Sequence, residues 1–115
     1  MRDLSKKLIS DFLLRHPKER HLLIAAATDT SALGAVDAVR EHKRERHVAI
    51  VGQDCIAEAA EEMRKDRSPM IGSVSHETSS YGPNLIHLGL SLLRGQTVAP
   101  YNYVTHRMVL AETLR

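Results

Sequence analysis

Two hydrophobic rhythms alternate along this 115-residue chain: helix-like stripes and short unbroken apolar runs. Residues 3–16 carry Leu8, Ile9, Phe12 and Leu13 with charges between them, a spacing that puts all four on one face of a surface helix. His16-Pro17 closes that helix, because the residue before a proline is pushed out of the α region. Residues 22–27 are continuously apolar, the pattern of a strand covered on both faces. Thr28-Asp29-Thr30-Ser31 then caps a second helix, with Ala32, Ala35, Val36 and Val39 facing inward.

The order repeats. Residues 47–51 predict a second buried strand, and Gly52-Gln53-Asp54 turns it into a third helix with Ile56, Ala59, Ala60 and Met63 on one face. Ser68-Pro69 ends that helix, and residues 70–74 predict a third strand. After a polar loop at 77–80, a fourth helix over about residues 82–94 turns Leu85, Leu88 and Leu92, and also Ile86, Leu90 and Leu93, inward, and Gly95 stops it. Residues 101–104 predict a final extended stretch. Alternating helices and strands with short connections imply right-handed crossovers. The expected fold class is therefore α/β: a doubly wound parallel sheet with helices on both faces, forming a single domain over residues 1–115. In such a unit a helix follows the strand it packs beside, so the opening helix predicts a strand upstream.

Charge and cysteine content narrow the function. The net charge of +2 comes from 16 basic and 14 acidic residues spread without a basic stripe, which argues against nucleic-acid binding by this chain. The densest basic run, 40–47, is interrupted by Glu41 and Glu45 and reads as a solvated connection. The single cysteine, Cys55, excludes an internal disulfide framework. No apolar signal-peptide core and no apolar span of roughly 18 residues are present, so neither membrane insertion nor a visible export signal is expected, and the chain as written reads as cytoplasmic.

Candidate chemistry collects at the carboxyl ends of the three strands, at Thr28-Asp29, at Gly52-Gln53-Asp54 and at Ser75-His76. Ligands of parallel α/β sheets bind beyond those ends, so three in register form one polar face. Each residue also has a plainer reading. Asp54 suits the N-cap of the third helix, Asp29 and Thr30 suit caps and turns, and His76 suits a surface loop. Gly34 inside a helix suggests close approach to the sheet. A Cys55–His76 nucleophile lacks an orienting third group. The seven histidines show no helical pair at ligand spacing, and Gly52 and Gly72 stand alone. No metal, no nucleotide cradle, no cofactor and no catalytic residue is expected, and the chain reads as a binding module rather than an enzyme. A small flavodoxin-like enzyme would need a cofactor found with it.

The string from Ala26 to Ala35, AATDTSALGA, resembles the "NDxxALGA" segment of type I periplasmic sugar-binding proteins and of the lac-repressor-like regulators that share their ligand-binding core. Val48-Ala49-Ile50-Val51-Gly52-Gln53-Asp54 is similar to "vxivGxD", Ser80-Tyr81-Gly82 to the "YG" helix start, and Leu92-Leu93-Arg94-Gly95-Gln96-Thr97-Val98 to "llxGxxv". The resemblance runs over roughly residues 5–107 and covers only the carboxyl-terminal of two lobes. It implies a fragment of a protein that closes two lobes around a sugar.

By position, the resemblance implies ligand contacts from Thr28, which replaces the usual Asn, from Asp29, from Asp54 of "GxD", and from His76, where the family often has Gln. It implies a small polar, sugar-type ligand and, in a full-length periplasmic transporter component, an ABC permease as partner. In a regulator the implied partner is DNA. Tyr101 to His106 resembles the hinge-proximal tail of the binding proteins, which favours transport. A lone lobe exposes a face that normally meets its partner, so weak ligand binding and a homo-oligomer are expected.

Overall fold

The computed structural model describes residues 1–115. Helix α1 (Arg2–Arg15) leads through an exposed turn to β1 (Leu22–Ala25), α2 (Asp29–Glu41), β2 (Val48–Gln53) and α3 (Ala57–Arg64). There follow β3 (Met70–Ser75), α4 (Tyr81–Leu93), β4 (Arg107–Leu110) and the single-turn α5 (Ala111–Leu114). The strands form one α/β sheet in the order β1-β2-β3-β4. β1, β2 and β3 run parallel, as the alternation of elements predicts. β4 is antiparallel to β3, with Gly72 opposite Leu110 and Ser75 opposite Arg107, so the sheet is mixed. Residues 101–104 have no regular structure, contrary to expectation. The strand forms at Arg107–Leu110, where buried Val109 lies between exposed Met108 and Leu110, the alternation of a strand covered on one side.

One hydrophobic cluster holds the body together. Leu13 of α1, Val36 and Val39 of α2, Ala59 and Met63 of α3 and Ala111 of α5 meet Val48, Ile50, Met70 and Val109 from the sheet. These four helices therefore share one face of the sheet. The other face is open: along β1 and β2 exposure alternates strictly, and Leu23, Ile71, Met108 and Leu110 are all exposed. β1 is thus covered on one side only, where its unbroken apolar run predicts two.

Helix α4 departs further from expectation. Its apolar residues do not turn inward: Leu85, Ile86, Leu90, Leu92 and Leu93 are exposed, and none of them joins the core. The cause is its base. Glu77 adopts a left-handed conformation, and a 3-10 turn at Thr78–Ser80 sends the helix away from the sheet. The molecule is consequently elongated, with extents of 61 × 29 × 21 Å.

The stripe on α1 is half used. Leu13 is buried and Ile9 partly buried against the core, while Leu8 and Phe12 face outward, Phe12 stacking on His16. Its contact is with α2, and Gly34 explains the fit: a Cβ there would lie 2.2 Å from the Arg2 carbonyl oxygen and 3.0 Å from Ser5 Cβ. The close approach expected of this glycine is therefore to α1, not to the sheet. Ser5 Oγ donates to the Ser31 carbonyl at 2.7 Å and Arg2 pairs with Asp37 at 2.7 Å, which fixes the same junction. Gly34→Ala is expected to destabilise the chain by about 2 kcal/mol through overpacking. A thermal melt checks this, and an unchanged midpoint would show that α1 shifts freely on α2.

Candidate ligand-binding face

The parallel register brings the carboxyl ends of β1, β2 and β3 to one edge of the sheet. Thr28 stands above β1 as the N-cap of α2, with an extended backbone at φ −146° and ψ 155°. Its Oγ1 accepts from the Ser31 amide at 3.3 Å and donates to Ser31 Oγ at 3.2 Å. Capping by Thr28 satisfies one of the amides that a helix start leaves unpaired.

Asp29 lies beneath the face. It is fully buried, and its carboxylate accepts from Ser73 Oγ at 2.7 Å and from the Ile56 amide at 2.9 Å. Ser73 Oγ in turn accepts from the Cys55 amide at 3.1 Å. One carboxylate therefore ties α2, β3 and the β2–α3 connection together. Gly52 makes room for it, since a Cβ there would sit 2.2 Å from Asp29 Oδ1.

Asp54 and His76 come together on the face itself. The β2–β3 ladder runs one residue past β2, where the Asp54 amide donates to the Val74 carbonyl at 2.8 Å. Asp54 and Cys55 then take φ values of 106° and 54°, a conformation that side chains resist. The capping role expected of Asp54 is not taken up. α3 starts only at Ala57, after Ile56, without a side-chain cap, which leaves the Asp54 carboxylate half exposed. Non-glycine residues held at positive φ cost about 1–3 kcal/mol each and cluster at binding sites.

His76 Nε2 lies 2.8 Å from Gln53 Nε2 and 3.4 Å from Asp54 Oδ1. The ring also meets His106 edge-on, with centroids 4.9 Å apart. With the Gln53 amide donating, Nε2 is an acceptor and no proton lies between it and Asp54. With the amide turned half way round, Nε2–H donates instead. A ligand hydroxyl placed there can donate to Asp54 while its oxygen accepts from the neighbouring amide.

Gln53, which the sequence places at the second strand end without singling it out as a contact, and His106, which the sequence does not place there, also adjoin the His76 ring. For Gln53 a signal existed, because a polar residue ending an apolar strand points to the rim. For His106 there was none, since only the β3–β4 pairing brings it near. Glu77, whose amide donates to Ser75 Oγ at 3.2 Å, sits at the edge of the face, where Arg107 bonds it at 2.9 Å and holds its carboxyl below the ordinary glutamate value. Burial, reinforced by the charge of Asp29, pushes the Cys55 thiol above its usual value, the opposite of an activated nucleophile. No group of three or more His, Cys, Asp or Glu side chains is placed to hold a metal ion, and no helix is long and apolar enough to cross a membrane. A cavity of about 710 Å³ lies elsewhere, between α4 and residues 97–104.

A wide set of solved structures shares this fold. An ABC transporter solute-binding protein from Agrobacterium vitis with bound allitol superposes with a TM-score of 0.88 at 22% identity, over 98% of this chain and 39% of that one. A periplasmic solute-binding protein from Actinobacillus succinogenes with bound D-allose gives 0.84 at 23%, over 99% and 39%. The fold is that of one lobe of a type I periplasmic binding protein. A 5-methylthioribose-binding protein from Thermotoga lettingae shares this lobe fold at a TM-score of 0.82 and 18% identity, over 99% of this chain and 35% of its own. The chain thus spans little more than a third of the length of these structural neighbours. No protein-family model and no curated protein matches it.

Proposed function

We propose that this chain supplies one wall of a sugar-binding cleft in a solute-binding protein of an ABC importer, acting in the periplasm when the two-lobed protein is complete. The observation that carries the reading is the exposed Asp54 carboxylate beside His76 and Gln53, on the strand-end face of this lobe fold. A carboxylate among neutral donors and acceptors suits vicinal hydroxyls, and a ligand that leaves it unpaired is rejected. Thr28, Asp54 and His76 are the proposed contacts, with Gln53 between them. Asp29 serves from below by fixing the loop that carries Asp54. One wall gives half the contacts and no closure, so weak binding is expected, in the millimolar range or about −4 kcal/mol.

The test is an NMR titration of the isotopically labelled chain with D-allose and allitol. Amide shifts confined to Thr28, Gln53, Asp54 and His76 are expected. Asp54→Gly is expected to abolish them while raising stability by about 1 kcal/mol, because glycine adopts positive φ without strain. Shifts elsewhere, or binding untouched by this variant, would overturn the assignment.

A further inference from the structure

We infer that the end of this lobe farthest from the ligand-binding face is an electrostatic docking surface for a lipid bilayer rich in anionic headgroups. Three connections form it: residues 16–21 before β1, 42–47 before β2 and 65–69 before β3. Because β1, β2 and β3 are parallel and lie side by side, all three connections gather at the amino ends of the strands, opposite the edge that carries Asp54 and His76. With the cleft at that edge, as proposed above, the second wall stands beyond the carboxyl ends and leaves this end clear.

The first argument is charge. Cations that look dispersed along the sequence converge here in space. Residues 15–21, 42–47 and 64–67 hold nine of the 16 lysines and arginines but three of the 14 acidic residues, an excess of six positive charges, whereas the rest of the chain, with seven against 11, is net negative. The second argument is that these cations have little internal use. Among the seven elsewhere, Arg2, Lys6, Arg40 and Arg107 are ion-paired. Of the nine, only Lys65 meets a carboxylate, that of Glu62 at 2.9 Å. Arg15 and Arg64 occupy the last turns of α1 and α3, where a cation offsets the helix dipole. Lys18, Arg20, Arg46 and Arg67 lie beyond those helices, all exposed, and no such role accounts for them.

The third argument is the backbone. Each connection holds one residue in the left-handed region: His21 at φ 62°, Lys43 at 54° and Arg67 at 58°. At the end of α2 the Lys43 amide donates to the Arg40 carbonyl and the Arg44 amide to the Val39 carbonyl, both at 2.9 Å, the paired bonds that close a helix over a left-handed residue, most often glycine. The chain places a lysine where glycine would be free of strain.

The surroundings select the partner. α1, α2 and α3 all end here, so their free backbone groups at this end are carbonyls, and no α-helix begins here to offer amides to a single phosphate. The three connections contain no Phe, Tyr or Trp on which a nucleic-acid base stacks. What remains is long cationic side chains on three neighbouring turns, which gain most from a continuous layer of negative charge, about fivefold in affinity for each Lys or Arg.

The experiment is sedimentation of the 115-residue chain with vesicles of equal parts phosphatidylglycerol and phosphatidylcholine, and with vesicles of phosphatidylcholine alone. Binding to the anionic vesicles only, released by roughly 1 M salt, is expected. Arg20→Glu combined with Arg46→Glu is expected to weaken it by about 25-fold or more. Lys18→Gln combined with Arg67→Gln is a second pair with the same expected direction, and circular dichroism checks that both remain folded. Lys7→Glu combined with Arg94→Glu makes the same change in net charge as the first pair at two exposed residues elsewhere, and is expected to leave binding unchanged. An equal loss in this control would mean that net charge alone drives adsorption, and the inference falls. It falls equally if the unaltered chain ignores anionic vesicles, or binds duplex DNA in the same buffer in their place. Binding to both kinds of vesicle that survives salt would assign adsorption to the exposed apolar residues of α4 and overturn it as well. None of these results bears on sugar binding, because the altered residues lie outside the strand-end face.

Discussion

Asp29→Ala is expected to lower stability by about 4 kcal/mol, because it removes two charge-assisted hydrogen bonds inside the protein and leaves the Ile56 amide without a partner. For a domain of this size the melting point falls by about 15 °C. The consequence is not confined to stability. The β2–α3 connection carries Asp54 and Cys55 at positive φ, and its two anchors are the Asp29 carboxylate and the Ser73 hydroxyl that Asp29 orients. Without them Asp54 relaxes out of its strained geometry, so sugar-induced amide shifts should vanish even where the variant remains folded. Asp29→Asn keeps the shape but sets an amide group against one donor, and is expected to cost about 2 kcal/mol. A thermal melt of both variants checks the order. Equal losses would mean that size at this position matters more than acceptor chemistry.

The second large effect is expected at Glu62, a buried carboxylate of α3. Its Oε1 accepts from Arg40 Nη2 and from Ser68 Oγ, both at 2.6 Å, and its Oε2 accepts from Arg40 Nη1 at 3.0 Å and Lys65 Nζ at 2.9 Å. Burial alone would raise its pKa. The bonds from Arg40, Ser68 and Lys65 together outweigh burial and hold it below the ordinary value. The unfolded chain therefore takes up this proton first. The stabilisation is complete above the unfolded value of about 4.3 and is lost as pH falls through the depressed folded value.

Glu62→Gln is expected to cost about 3 kcal/mol at neutral pH, because Arg40 loses its bidentate partner in a largely buried setting. The gap between variant and parent should close on acidification below about pH 4. Urea denaturation across that range measures it. A gap that stays constant with pH would show that Glu62 acts through packing alone.

Much of this architecture is legible in the sequence because it rests on local patterns. The caps at Thr28, the periodicity of Ala32 to Val39 and the β-branched run of 48–51 each specify an element without reference to anything distant. The strand-end rule likewise locates the polar face. What escapes the sequence depends on long-range placement. The apolar residues of α4 predict burial, and the outward turn of Glu77 denies it within the chain. Glu62 sits between Ala59 and Met63 like any charged residue on a helix rim, and only the tertiary approach of Arg40 and Ser68 makes it structural. The Gln53–His76–Asp54 cluster similarly requires the strands to be in register, which the pattern of apolar residues does not reveal. Asp29 reads as a cap or a ligand from sequence, and its part as an internal tie emerges only with Ser73 beside it.

The shared rung of Ser75 and Arg107 has one more consequence. Directly opposite residues of an antiparallel pair are only about 5 Å apart, so a short reverse turn bridges them. The hydrophobic cluster draws nothing from residues 76–106. That segment is therefore a cassette: it can be cut out and the ends rejoined at a loop-closure cost of well under a few kcal/mol, leaving a smaller body that keeps its whole interior. In this molecule, the stretch that carries the exposed apolar helix and the stretches that keep the body folded are separable.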